Sequence, residues 1–261
     1  MNPLSRMKAF SLLLLASLFF VSCKKETETL QPEVPKDYLP TQPGKYITYR
    51  TDSTVYTNFG SGIAVHSYQE KTIVDSLITD NLGRPSYRVF RFLRDTAGKT
   101  AWQPAGTYFI TPTANAVEVI ENNLRFLKLA APVSEGTSWK ANRFLPDDPY
   151  GAFYDFSNDD GMADWDYGYT NVDQAVSVSG KQYDSTVTVQ LMLDDPETNT
   201  SANFQIANAQ LYGFKNYSTE KYAKGLGLIY QEYIMWEYQP PSSPRPGYRG
   251  FGVKRSIIDH N

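Results

Sequence analysis

The strongest constraint on this chain is its punctuation. From Tyr38 onward, runs of β-branched, aromatic and aliphatic residues recur, each stopped by Gly, Pro, Asn or Asp after roughly 8–12 residues. Tyr46–Arg50 and Thr54–Thr57 lead to a hairpin tip at Gly60-Ser61-Gly62, and Ile63–Ile78 is closed by Asp80–Pro85. Tyr87–Arg94 ends at Asp95-Thr96-Ala97-Gly98, and Thr107–Ile110 and Ala116–Ile120 follow. Asn122-Asn123, which tolerate positive φ, turn the chain into Leu124–Leu129. Thr186–Leu193 alternates, so that Val187, Val189, Leu191 and Leu193 share one face. Leu228–Tyr238 is the longest run, stopped by Pro240-Pro241, and Val253–Asp259 closes the sheet. One helix candidate, Ser201–Leu211, is weakened by Asn203 and Asn208. Pro132–Gly161 and Pro240–Gly252 do not alternate and read as long loops. The pattern predicts an all-β, mostly antiparallel meander. It is either a curved half-barrel or a β-sandwich, with long loops and at most one short helix.

Composition excludes several alternatives. Among 261 residues, 41% are hydrophobic and the net charge is −3, so the chain is not a disordered one. A balance of 25 Lys+Arg against 28 Asp+Glu gives no basic field for nucleic acid. A single Cys excludes a disulfide framework and a Cys-based zinc site, and two His leave no three-His metal site. No cofactor-binding motif is present: Gly225-Leu226-Gly227 lacks the third Gly of a dinucleotide loop and precedes a strand, so it reads as a bulge or bend.

The N-terminus is an address. Arg6 and Lys8 precede an apolar run, Ala9–Val21, which at ~1.5 Å per residue is too short to cross a ~30 Å hydrocarbon core. It ends at Ser22-Cys23, and that arrangement resembles the lipobox of bacterial lipoproteins, with Phe20 where the usual pattern prefers Leu. The resemblance implies that residues 1–22 are a cleaved signal peptide. Cys23 is then fatty-acylated and becomes the membrane anchor. Removing Arg6 and Lys8 would take the formal charge from −3 to −5. Residues 23–37 are charged and Pro-punctuated, which reads as a flexible tether, leaving 38–261 as one antiparallel β domain. The acidic positions after Cys23 resemble the surface-export signal of Bacteroidota lipoproteins. The expected location is therefore the outer membrane, lipid-anchored and facing outward.

Pro43–Ser53, Trp165-Asp166-Tyr167 through Tyr183–Thr186, Glu220–Tyr230 and Arg255–Asn261 resemble segments of uncharacterised Bacteroidota envelope lipoproteins. This implies an envelope lipoprotein with a β-rich domain and brings no catalytic residue. The sites Asp52-Ser53-Thr54, Asp75-Ser76-Leu77, Asp95-Thr96-Ala97 and Asp184-Ser185-Thr186 resemble the O-glycosylation sequence of that phylum, making Ser53, Ser76, Thr96 and Ser185 candidate acceptors.

Three constellations bear on chemistry. Asp155, Asp159, Asp160 and Asp164 form an acidic cluster that could ligate Ca2+. Against an EF-type loop with Gly161 at position six, though, positions one and twelve are Phe156 and Tyr167. Asp147-Asp148 and Asp194-Asp195 are adjacent carboxylates beside Pro in turns, a poor arrangement for an acid/base pair. Tyr150, Phe153, Tyr154, Phe156, Trp165, Tyr167 and Tyr169 crowd one region together with Asp155, Asp159, Asp160, Asp164 and Asp166. Rings that stack on sugar faces beside carboxylates that accept hydroxyl protons suit a carbohydrate site, with Tyr154, Trp165, Tyr167 and Tyr169 as its candidates. The same rings packed down as lids of a β core are the structural alternative. The expectation is a non-enzymatic lipoprotein that captures a glycan or protein ligand or serves as a scaffold. A periplasm-facing lipid carrier or assembly stabiliser is the second reading, and a carboxylate-dependent hydrolase a distant third.

Overall fold

The computed structural model describes residues 33–193 and 209–261. Cys23, the signal segment, Asp194, Asp195 and all but the end of the Ser201–Leu211 helix candidate lie outside those residues; Ala209–Leu211 is turn and bend. The described chain forms twelve strands in one antiparallel sheet, ordered β6-β5-β4-β3-β2-β1-β12-β11-β10-β9-β8-β7. They are β1 Tyr46–Thr57, β2 Gly62–Thr79, β3 Pro85–Asp95, β4 Gln103–Pro112, β5 Ala116–Glu121 and β6 Leu124–Ala130. The second half contributes β7 Ser138–Lys140, β8 Asp166–Val178, β9 Lys181–Leu191, β10 Gly213–Ala223, β11 Gly227–Gln239 and β12 Gly247–His260. The only helical pieces among the described residues are short 3₁₀ turns at Pro35–Tyr38, Asn58–Gly60 and Met162–Asp164.

Every neighbouring pair follows the chain except one: first strand β1 pairs with last strand β12, from Ile47–His260 to Val55–Phe251. The sheet therefore curls as an up-and-down barrel whose free edges are β6 and β7. Those edges nearly meet. Leu127 N–H donates to Ala141 C=O at 2.8 Å, and Trp139 Nε1 donates to Leu127 C=O at 2.8 Å. The Tyr169 hydroxyl donates to Ala130 C=O at 2.8 Å and accepts from Ala130 N–H at 3.1 Å. Near-closure settles the choice left open by the sequence: the sheet is a single curved barrel, not a sandwich, and its edges are protected from pairing with other chains.

The turn chemistry acts as expected at Asn122 and Asn123, both left-handed at φ 52° and 63°, joining β5 to β6 by two residues. The Thr186–Leu193 alternation holds too. Val187, Val189 and Leu191 are buried in the main core with Val74, Val89, Ile110, Val117 and Leu129, and Leu193 packs against it. Two readings are corrected. Pro240–Gly252 is only half a loop, because β12 begins at Gly247. Pro132–Gly161 contains β7, and the aromatic region beyond it is split, since Tyr167 and Tyr169 lie on β8.

One barrel end, the base, is plugged by the incoming chain. Tyr38 is fully buried, its hydroxyl donating to Glu33 at 3.1 Å, while Gly225 N–H donates to Asp37 C=O at 2.7 Å. Gly227, at φ 124°, lets the backbone pass Pro40; a Cβ there would lie 2.7 Å from the Pro40 ring. The other end, the mouth, is covered by residues 141–165.

Candidate functional site

Strand register determines what faces the barrel interior. Descending from the mouth, β11 and β12 place Met235 opposite Phe251, Tyr233 opposite Val253 and Gln231 opposite Arg255. The upper layers are aromatic because the 141–165 cap packs on them. Tyr154 stacks on Phe251 at 5.1 Å between ring centres, and Tyr150 and Tyr233 meet Phe251 edge-on at 5.4 and 5.3 Å. The Tyr150 and Tyr233 hydroxyls share a 3.0 Å hydrogen bond. The cap is fastened to β10 and β11. Asn158 Nδ2 donates to Asn216 at 2.7 Å and to Trp236 C=O at 3.1 Å, and Ser157 N–H donates to Glu237 at 2.9 Å.

Below the rings, a polar belt crosses the interior. Lys128 donates to Glu220 at 2.6 Å, and Gln231 donates to the same carboxylate at 2.7 Å. Arg255 donates to Gln231 and, at 2.9 Å, to Glu70. Arg91 lies 3.0 Å from Glu70 and donates to Glu121 at 2.5 Å. Thr51 and Tyr222 add hydroxyl donors to Glu70 and Glu220. The belt thus runs through β6, β10, β11, β12, β2, β3 and β5, with Lys128, Arg91 and Arg255 against Glu70, Glu121 and Glu220, so its charges cancel.

Burial alone would raise the Glu121 carboxyl; the Arg91, Arg255 and Lys128 cations overcome it and hold it below its ordinary value. Glu220 follows the same logic: burial raises it, while Lys128 and the hydrogen bonds from Tyr222 and Gln231 bring it below. Burial disfavours the Arg255 cation, but Glu70 and Glu121 raise its pKa further still. All these groups stay ionised at neutral pH.

Between cap and belt lies a chamber of about 280 Å³, walled by Phe126, Tyr150, Tyr154, Tyr167, Tyr233 and Phe251 and floored by Lys128, Glu220, Gln231 and Arg255. A smaller space of about 90 Å³ lies on the other side of the belt, bounded by the belt's own charged groups and by Ile47, Tyr49, Ile110, Val119 and Leu228.

The structure brings two of the four aromatic candidates together, Tyr154 and Tyr167, both on the chamber wall. Trp165 packs beneath the cap with Leu145, Met162 and Met235, and the Tyr169 hydroxyl is engaged at the barrel seam. The acidic candidates diverge: Asp155 is exposed and pairs with Arg245, Asp160 and Asp164 are exposed, and Asp159 is buried. Among the described residues, no group of three or more His, Cys, Asp or Glu is placed to hold a metal ion. Of the glycosylation candidates, Ser53 bonds to the Tyr68 hydroxyl at 2.7 Å and Ser76 donates to Asp75 at 2.8 Å. Thr96 donates to Ser67 C=O at 2.7 Å, and Ser185 is a partly exposed β9 residue at φ 51°. Sequence reasoning missed the belt. Its only signal was charged and amide residues at inward positions of alternating runs, such as Arg91 and Gln231.

No family model matches the chain, and no curated protein matches it. Among solved structures, a "putative exported protein with YmcC-like fold" from Bacteroides fragilis is similar at 12% identity and a TM-score of 0.39, over 85% of this chain and 99% of that one. At that distance the likeness says nothing about activity.

Two expectations follow. Arg255→Met strips Glu70 and Gln231 of a buried partner, so urea unfolding is expected to show a loss of about 3–5 kcal/mol; an unchanged midpoint would mean the belt contributes nothing to stability. The second concerns Asp159, whose Oδ2 accepts from Tyr150 N–H at 3.3 Å. Its pKa rises from 3.8 to about 6, chiefly by burial; the Tyr150 bond pulls back and the neighbouring Asp148 carboxyl pushes up. The folded state then holds this proton more tightly than the unfolded chain, so stability falls as pH climbs from about 4 through about 6. Asp159→Asn is expected to remove that decline, raising Tm at pH 7.5 more than at pH 4.5.

Proposed function

We propose that this chain is an exported envelope lipoprotein, held at the outer membrane through acylated Cys23, whose barrel binds a neutral saccharide in the chamber under the cap. One observation carries the reading: an aromatic-walled chamber stands on a belt in which Lys128, Arg91 and Arg255 are matched by Glu70, Glu121 and Glu220. Sugar hydroxyls donate and accept at once, and Glu220 and Gln231 offer acceptors while Lys128, Gln231 and Arg255 offer donors. The C–H faces of a sugar ring suit Tyr154 and its neighbours. A neutral belt gives no field that would select an ion.

The same geometry speaks against the other readings. A long acyl chain entering from the mouth would meet the charged belt, and the space of about 90 Å³ beyond it is lined by the same charges, which disfavours a lipid carrier. A glycoside hydrolase needs a carboxylic acid that is protonated at working pH, and Glu121 and Glu220 are both held ionised. The chain joins the barrel at the base, so a membrane tether starts at the end opposite the mouth. That arrangement suits capture of a ligand from outside.

Calorimetric titration with glucose, galactose, mannose and N-acetylglucosamine is expected to show binding by at least one. Tyr154→Ala should weaken it about 10- to 100-fold, with Tyr154→Phe retaining it; a Tyr154→Ala variant that binds as well as the parent would remove the chamber from consideration. Protease added to intact cells is expected to cleave the barrel domain. Protection until lysis would place it facing the periplasm instead.

A further inference from the structure

Beside the chamber, at the mouth, lies an open groove of about 1,100 Å³ that enters the binding reading above only through Tyr154. It runs between the β1–β2 tip, the β11–β12 connection and the outer side of the cap, and is lined by Tyr56, Phe59, Phe153, Asp155, Arg245 and Tyr248 among others. Two side chains, Phe153 and Tyr154, line both groove and chamber, so the two spaces adjoin at these rings.

The tip is built to hold a ring in water. Phe59 is fully exposed, and its backbone is left-handed at φ 55°, ψ 36°, between Asn58 at φ 49° and Gly60 at φ 85°. A bulky residue in that region is strained, and such strain persists only where the surroundings impose it. Here the imposing contact is visible. Gly60 sits so close to β12 that a Cβ would lie 2.4 Å from Tyr248 O, and Gly247 in turn would meet Phe59 O at 2.7 Å. Two glycines therefore seat the tip against β12 and present Phe59 outward. Across the groove, Phe153 is 65% exposed, and the Arg245–Asp155 ion pair spans from the β11–β12 connection to the cap with both side chains 70% exposed. Exposed rings next to an exposed cation and carboxylate repeat the chamber's chemistry in an extended form.

We propose that the groove is a second subsite for the same ligand class, so that the protein binds the end of a linear neutral oligosaccharide. The terminal sugar occupies the chamber, and the following units pass Phe153 into the groove, stacking on Phe59 and hydrogen-bonding to Arg245 and Asp155. The groove holds roughly four times the chamber's volume, room for several further units. This rests on the saccharide reading of the chamber and adds chain length and end recognition to it.

The test is calorimetry on the full-length protein with each of the four monosaccharides named above and with the linear tetramer of each. The expected result is a tetramer that binds at least 10-fold more tightly than its monomer. Phe59→Ala and Arg245→Ala should each bring the tetramer to within about threefold of the monomer. Both side chains are exposed, so monomer affinity and Tm should stay as in the parent. A tetramer no tighter than its monomer, or an advantage that survives both substitutions, overturns the groove subsite and leaves the chamber intact. Binding of none of the probes overturns the chamber reading and the groove with it.

Discussion

The structure depends on a chain of ion pairs and hydrogen bonds that crosses the barrel at mid-height. Twelve strands enclose more space than apolar side chains alone fill here, and an interior left polar without partners would cost several kcal/mol per group. The belt resolves this by linking Lys128, Glu220, Gln231, Arg255, Glu70, Arg91 and Glu121 so that each charge faces an opposite one or an amide. Its members come from seven strands, and removing any one takes a buried partner from each of its neighbours. An apolar belt of equal volume could be as stable, because buried ion pairs are weak stabilisers. What the ionic version adds is a hydrogen-bonding floor under the chamber, which the proposed saccharide would use.

That floor divides the molecule by purpose. Beneath it, Val74, Val89, Ile110, Val117, Leu129 and Val187 pack with Tyr38, which the incoming chain drives into the base. Above it stand rings arranged around Phe251 and a cap held by the buried cluster of Leu145, Met162 and Met235 and by hydrogen bonds from Ser157 and Asn158 to β10 and β11. The apolar half carries the fold and needs nothing from outside. The upper half is hydrogen-bonded and ring-lined, the arrangement expected where a site must exclude water yet admit a solute.

The alternation of the chain made the all-β architecture and most strands legible, because strands such as β9 bury one apolar face and β5–β6 turn on two asparagines. Three strands escaped. β7, Ser138–Lys140, is too short for an alternation to show; the other two were hidden for opposite physical reasons. β8 breaks its own alternation with register shifts near Tyr169, Val172 and Gln174, so its inward residues do not recur every second position. β10 keeps its register over most of its length but turns Asn216, Ser218 and Glu220 toward the cap, chamber and belt, where polar residues are wanted. A reader of hydrophobic periods sees nothing in either. Of the site, the aromatic richness around residue 154 was legible, while the belt was not. Its residues are adjacent only through pairing between strands far apart in sequence, as Arg255 and Glu70 are.

The division of labour among the aromatic residues follows from the same point. Tyr154, Trp165, Tyr167 and Tyr169 lie within sixteen residues of one another, yet the barrel assigns them three roles: ring wall, cap support and seam. The strand pleat and the seam decide which. Tyr167 and Tyr169 both point inward on β8, but Tyr169 lies two residues nearer the base, level with Ala130, where it is spent on closing the barrel. Tyr167 sits one step nearer the mouth and faces the chamber. A composition that resembles a binding loop is therefore shared between holding the barrel shut and lining its mouth, and only the register separates the two.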